Sequence, residues 1–379
     1  MIRLDAAHLS FEADFAALVD ARRESDADVA RDVTAILRAV REEGDTALRA
    51  YTQKLDRHDL DATGWSIPAS DCAAAFAALA PELREALELA ASRIRAYHEK
   101  QRPDDLAFTD DAGVRLGARW RAVDAAGVYV PGGRAAYPST LLMNAIPAKV
   151  AGVERLVVVT PTPDGAVNPL VLAAAHLAGA DEVWRVGGAQ AIAALAWGTD
   201  RIAPVDVVTG PGNAWVAEAK RQVYGVVGID MVAGPSEIVV IADGANDAEW
   251  IAADLLSQAE HDVTTQSILF TDDAGFADRV ADAVERQLAG LATGETARVA
   301  WEANGAIILV PDLADACALT DRLAPEHVEI ATDDPHALFS KLRHAGSAFL
   351  GRHTPEAIGD YVAGPNHVLP TGRRARFAS

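Results

Sequence analysis

The sequence lacks both glycine signatures that most often mark a nucleotide site: it has no GxGxxG and no GxxxxGK[ST]. A phosphate loop and the standard dinucleotide fingerprint are therefore excluded. Cysteine is nearly absent. The two present, Cys72 and Cys317, stand in alanine-rich stretches with no CxxC spacing. That rules out a disulfide framework or a thiolate zinc motif and fits buried thiols in a reducing compartment. No apolar run has the length of a membrane span; the stretch 150–159 is broken by Glu154 and Arg155. The first residues, Met1-Ile2-Arg3-Leu4-Asp5, reach an acid too soon for a secretory signal. Basic residues are in deficit, 34 Lys and Arg against 55 Asp and Glu, for a formal charge of −21. A polyanion of this strength repels phosphate-rich partners, so neither nucleic acid nor membrane is expected to bind. These absences together read as an acidic cytoplasmic protein.

What is present fills two domains: 379 residues, half of them apolar. From about Ser25 to Leu89 the apolar spacing is helical. Val33, Ile36, Leu37 and Val40 share one stripe; Asp45 opens a second helix after Gly44, and Pro81 starts a third that ends before Pro103. Val114 to Val130 alternates and holds glycines, which predicts a hairpin leading to a buried strand. A sharp loop follows at Val130-Pro131-Gly132-Gly133-Arg134, and Ser139 is placed to cap the next helix. Beyond it, short apolar strands alternate with amphipathic helices. Strands are expected at 155–160, 182–186, 206–209, 238–242, 267–271, 306–310, 328–331 and 347–350. The helices between them include Ala248–Ala259, Ala274–Leu288 and Pro335–His344. This alternation predicts an α/β fold with mostly parallel sheets covered on both faces, in two blocks, 129–236 and 237–350.

Three clusters can carry chemistry. Glycine turns at Gly132-Gly133, Gly187-Gly188 and Gly210-Pro211-Gly212-Asn213 each follow an expected strand and precede a helix. Ligands of open α/β sheets collect at such turns, although tight turns need glycine in any case. Gln258 and His261 are three residues apart on a helix and so share a face, and imidazole with an amide oxygen suits zinc. Such a pair on its own is more often an ordinary helix surface. Glu326 and His327, just after Pro325 and before a strand, pair a carboxylate with an imidazole that titrates near neutrality. Asp360 and His367 lie in loop-like stretches, His367 after Gly364-Pro365-Asn366.

Read as a whole, the sequence resembles the histidinol dehydrogenase family. The matching runs are Gly127-Val128-Tyr129-Val130-Pro131-Gly132-Gly133, Tyr137-Pro138-Ser139-Thr140-Leu141-Leu142-Met143-Asn144, Gly187-Gly188-Ala189-Gln190-Ala191-Ile192-Ala193, Thr209-Gly210-Pro211-Gly212-Asn213 and Ala233-Gly234-Pro235-Ser236-Glu237. The clusters around Gln258, Glu326, Asp360 and Asn366-His367 continue them in the family's order. The resemblance implies zinc- and NAD-dependent oxidation of L-histidinol, through L-histidinaldehyde, to L-histidine. By position, Gln258, His261 and Asp360 are the implied zinc ligands and His327 the general base, with Glu326 beside it to activate water. Ser236, His327, His367 and the zinc-binding side chains are the implied substrate contacts; Tyr129, Gln190 and Asn213 are the implied NAD contacts.

The implied fold is a pair of incomplete Rossmann-like domains with an N-terminal helical segment. Residues 25–128 are expected with 237–350 in the first domain and 129–236 in the second, on the NAD side; 1–24 and 351–379 flank them. Family members form homodimers and continue past the position of Ser379. Their tail crosses to the partner and supplies a substrate-binding glutamate and a histidine as the fourth zinc ligand. This chain holds no counterpart, which leads us to expect weak zinc retention, low turnover and impaired dimerisation. The same residues would also serve a related dehydrogenase of another small polar alcohol, or a weakened enzyme acting as a binding scaffold.

Overall fold

Runs rich in Val and Ile between polar turns form the strands here, and the amphipathic stretches between them form the helices. The structure is a computed structural model; it describes residues 1–21, 27–132 and 138–377, the side chains of Ala27, Asp360 and Tyr361 excepted. Gly133, Arg134 and Tyr137, singled out above, lie outside the described residues. The chain divides into unit 1 (Met1–Glu24, Ala233–Asp360 and Leu369–Ser379) and unit 2 (Ser25–Val232 and Tyr361–Val368). In chain order the strands are β1 (Ile2–Asp5), β2 (Leu106–Thr109), β3 (Arg115–Ala118), β4 (Ala125–Tyr129), β5 (Arg155–Val159), β6 (Glu182–Trp184), β7 (Val207–Thr209), β8 (Gly228–Ile229), β9 (Glu237–Ala242), β10 (Gln266–Thr271), β11 (Ala306–Leu309), β12 (His327–Ala331) and β13 (Ser347–Leu350).

Unit 1 is built on a six-stranded sheet in the order β1-β11-β10-β9-β12-β13, every pair parallel. Successive residues of a strand face opposite sides, and both sides are buried. Thus Ile238, Val240 and Ala242 of β9 join one core cluster with helices Ala248–Ala259 and Ala274–Leu288, while Val239 and Ile241 join the other with Phe11, Phe15 and helix Leu313–Leu323. Unit 2 holds a five-stranded parallel sheet, β6-β5-β4-β7-β8, and the antiparallel hairpin β2–β3.

The expected strands of both blocks are present to within a residue or two. The expected partner of 25–128 is not. These residues belong to unit 2, because the stripe Val33, Ile36, Leu37 and Val40 of helix Ala27–Glu43 packs with Ile192, Leu195 and Val216 rather than with unit 1. The stripe was legible in the sequence, but what it packs against was not. Similarly, 351–379 is shared between the units. Ser139 sits inside helix Pro138–Ala151 instead of capping it. The helix expected over Pro335–His344 stops at Phe339; the Asp321 carboxylate takes the Arg343 and His344 amides at 2.8 and 2.9 Å, so they are not available to continue it.

Unit 2 changes direction at β4. The chain moves from β4 to β5 and β6 on one side and later to β7 and β8 on the other. The carboxyl ends of β4 and β7 therefore flank a topological switch point, where a crevice forms in open α/β sheets. The glycine turns crowd this edge. A Cβ on Gly187 would stand 2.3 Å from the Pro161 Cβ. Gly187→Ala is expected to cost unit 2 about 1–3 kcal/mol through overpacking, read by denaturant unfolding. An unchanged midpoint would show that the turn yields freely.

Candidate active site

In unit 1 the polar groups collect at the amino ends of the strands. A helix that follows a parallel strand runs back along the sheet, so the last turn of helix Ala248–Ala259 returns to the edge where β12 begins. Gln258 sits in that last turn, fully buried, and His327 is the first residue of β12. Their side chains meet, with His327 Nδ1 2.8 Å from Gln258 Oε1. The other end of the same amide, Nε2, lies 3.0 Å from His261 Nδ1. An amide has one donating and one accepting end, so it imposes opposite roles on the two rings. With the oxygen facing His327, that ring donates from Nδ1 and keeps its Nε2 lone pair, while His261 accepts at Nδ1. His261 lies just past the helix, beyond the Glu260 cap, and is exposed.

Glu326 reaches the same place through a backbone turn. Ala324 ends helix Leu313–Leu323 in the left-handed region at φ 43°, Pro325 follows, and both Glu326 and His327 become buried. Glu326 Oε1 is 3.7 Å from His327 Nε2. Its other oxygen accepts the Glu237 backbone N–H at 3.2 Å, and the Ser236 hydroxyl donates to the same carboxylate. Burial pushes the Glu326 carboxyl well above its ordinary range, the nearby carboxylates adding to this, while the two hydrogen bonds oppose the shift.

Several participants escaped sequence reasoning. Glu356, buried in the loop after β13, has a carboxylate oxygen 3.6 Å from His327 Nδ1 and accepts the Ser257 hydroxyl at 3.0 Å. No local pattern announces it. The Glu237 carboxylate accepts the Arg373 N–H at 3.2 Å, and the Arg373 guanidinium donates to the Leu18 carbonyl at 3.0 Å and to Gln266 at 3.3 Å. Asp254 and Glu329 did have a signal. One is a helical turn before Gln258 and the other two residues after His327 on the same strand face, so a second bridge backs the first. Asp360, expected in a loop, lies in the short helix Ala357–Tyr361, and its side chain is outside the described set.

Unit 2 carries the other expected residues. Tyr129 ends β4; its hydroxyl accepts the Gly188 N–H at 3.1 Å, and burial pushes its pKa up to about 12. Gln190 is buried in helix Gly188–Trp197, and its Oε1 has no hydrogen-bond partner among the described residues. A buried, unsatisfied amide oxygen is costly unless a ligand completes it, so this residue fits a cofactor contact. Asn213 is exposed and caps helix Ala214–Val223, accepting from the Trp215 and Val216 amides at 3.1 and 3.2 Å. His367 belongs to the short 361–368 segment of this unit, buried, its N–H directed at the Met143 sulfur at 3.3 Å. For a metal, Gln258 and His261 pair an amide with an imidazole, residue types that suit zinc; here the amide gives its oxygen to His327 and turns its nitrogen to His261, so the oxygen's second lone pair is what it has left for a ligand.

A family model described as histidinol dehydrogenase matches residues 19–379. The histidinol dehydrogenase of Zymomonas mobilis subsp. mobilis is 62% identical over 379 residues, covering 100% of this chain and 88% of that protein. That of Rhodospirillum rubrum is also 62% identical over 379 residues, covering 100% and 87%. A crystal structure of histidinol dehydrogenase from Elizabethkingia anophelis aligns with a TM-score of 0.94 at 35% identity, over 100% of this chain and 87% of that one.

The Asp254–Glu329 pair makes pH a test of the geometry. The two carboxyls hydrogen-bond each other, which requires a proton between them. Burial raises Asp254 to about 6 and Glu329 well above the carboxylate range. The folded values exceed the unfolded ones, so the pair's contribution is full below the unfolded carboxylate range and is lost as pH rises, first through about 6 as Asp254 ionises and then at higher pH as Glu329 gives up the shared proton. Asp254→Asn, whose amide donates without a titrating proton, is expected to remove about 1–3 kcal/mol of this pH-dependent loss. Thermal unfolding from about pH 4.5 to about pH 7.5 measures it; parallel curves for variant and parent would contradict the raised Asp254 value.

Proposed function

This chain belongs to the histidinol dehydrogenase family, and we propose that it oxidises L-histidinol through L-histidinaldehyde to L-histidine with NAD and zinc. The observation that carries the reading is the His327–Gln258 hydrogen bond of 2.8 Å with the Glu326 carboxylate on the far side of the ring. This arrangement presents a basic nitrogen in a dry setting, held in one tautomer and backed by a buried carboxylate.

His327, donating from Nδ1 to Gln258, takes the substrate hydroxyl proton at Nε2 as hydride leaves the carbinol carbon. The imidazole is matched to this work because its ordinary pKa lies near neutrality. Glu326, made more basic by burial once ionised, draws a proton from the water that adds to the aldehyde carbon. The hydrate then gives up its second hydride, His327 again accepting the hydroxyl proton, and the acid results. Ser236 and His367 are the proposed substrate contacts. Burial of Glu326 and His327 keeps bulk water from the reacting carbon between the two oxidations. Bound zinc, held by Gln258, His261 and Asp360, supplies a Lewis-acid anchor for substrate nitrogen donors. Bound NAD, contacted by Tyr129, Gln190 and Asn213, supplies the hydride acceptor.

The test is NADH formation from L-histidinol. His327→Asn is expected to lower kcat by about 10²–10⁴-fold. Glu326→Gln is expected to slow the aldehyde-to-acid half-reaction more than the alcohol step, seen when histidinaldehyde is supplied directly. Equal losses in both halves would remove the water-activating role from Glu326. Chelation followed by zinc addition is expected to abolish and restore turnover; turnover insensitive to chelator would refute the metal.

A further inference from the structure

Unit 2 buries a cation that the reaction above does not use. Lys220, on the third turn of helix Ala214–Val223, is 1% exposed. Its ammonium forms an ion pair with Asp230, just beyond β8, and donates to the Gly210 carbonyl at 2.9 Å. The Asp230 carboxylate accepts the Gly210 N–H at 2.8 Å and also the Met231 N–H. Both main-chain polar groups of Gly210 are thus held, one by each member of the pair.

Gly210 opens the loop that turns from β7 into that helix. Its φ is 109°, and a Cβ there would stand 2.2 Å from the Tyr129 carbonyl oxygen. The residue is therefore wedged against the end of β4 at the switch point, with freedom removed on every side. Pro211 follows, so its nitrogen offers no hydrogen bond of its own, and Asn213 then caps the helix. Burying an ion pair seldom adds stability, because desolvation offsets the attraction and an apolar pair of similar volume does as well. What this pair adds is geometry: it fixes the peptide from which the loop to Asn213 departs.

We propose that Lys220 and Asp230 are positioning residues that clamp the Gly210 peptide and so shape the 209–213 loop for the dinucleotide. The proposal rests on the NAD reading above and deepens it. Neither residue touches the reacting atoms. Loss of the clamp acts on cofactor affinity, while the chemistry contributed by unit 1 is left alone.

The experiment uses the full chain and NADH as the probe. Binding is followed by energy transfer from tryptophan to NADH. Lys220→Met is expected to weaken NADH binding at least about tenfold. The KM for NAD should rise in parallel, while kcat at saturating NAD stays within about threefold and the KM for histidinol is unmoved. The double variant Lys220→Met/Asp230→Asn removes the uncompensated charge. It is expected to regain thermal stability without regaining NADH affinity, because the Gly210 carbonyl still lacks its donor. Recovery of both would show a merely structural pair and overturn the proposal. So would a Lys220→Met protein that binds NADH as the parent does. A parent chain that binds no NADH overturns the cofactor reading itself, and the clamp with it.

Discussion

One carboxamide, that of Gln258, ties the first residue of a strand to the last turn of the helix that returns beside it, and the polar centre of unit 1 is arranged around that tie. Because an amide has distinct ends, the tie orders protons as well as rings. It also fixes a register. Moving along both elements by one period, four residues on the helix and two on the strand, gives the Asp254–Glu329 bridge. A slip of either element by one residue would separate both pairs together.

The two units use their sheets differently. Unit 2 follows the usual rule of open α/β proteins, its glycine turns and Asn213 lying where the strand order reverses, at the carboxyl ends. Unit 1 gathers Glu237, Gln266 and His327 at the amino ends of β9, β10 and β12. The carboxyl end of its own switch point, between β9 and β12, is instead closed by Arg352, which bridges Asp243 at 2.7 Å and Asp333 at 3.0 Å. A guanidinium fork across both turns leaves that edge a structural seam.

The strands and most helices were legible because parallel sheets demand short apolar runs and their covering helices demand striped ones. The Ala248–Ala259 and Ala274–Leu288 boundaries followed from the amphipathic alternation between strands. The partition of the chain was not legible, since the stripe of helix Ala27–Glu43 says only that something apolar covers it. Helix Gly294–Asn304 and the edge strand β1 went unnoticed, the latter because four residues with an exposed pattern carry no period. At the site, Gln258, His261, Glu326 and His327 were found by residue type and spacing. Glu356 and Arg373 were not, because an acid or a base in a loop has no local mark until the fold surrounds it. Lys220 was hidden for the opposite reason: on a helix, a lysine reads as solvated surface.

The separation of β1 from its sheet partner has a consequence for biosynthesis. Strand β1 precedes every other described strand in the chain, yet among the described residues it pairs with β11, far along the sequence. The sheet of unit 2 is complete once Ile229 has emerged, before any other strand of unit 1 has been made. Emergence order therefore sets a sequence of assembly in which the sheet of unit 2 can form during translation, while β1 must wait, its edge unpaired, until β11 has been made.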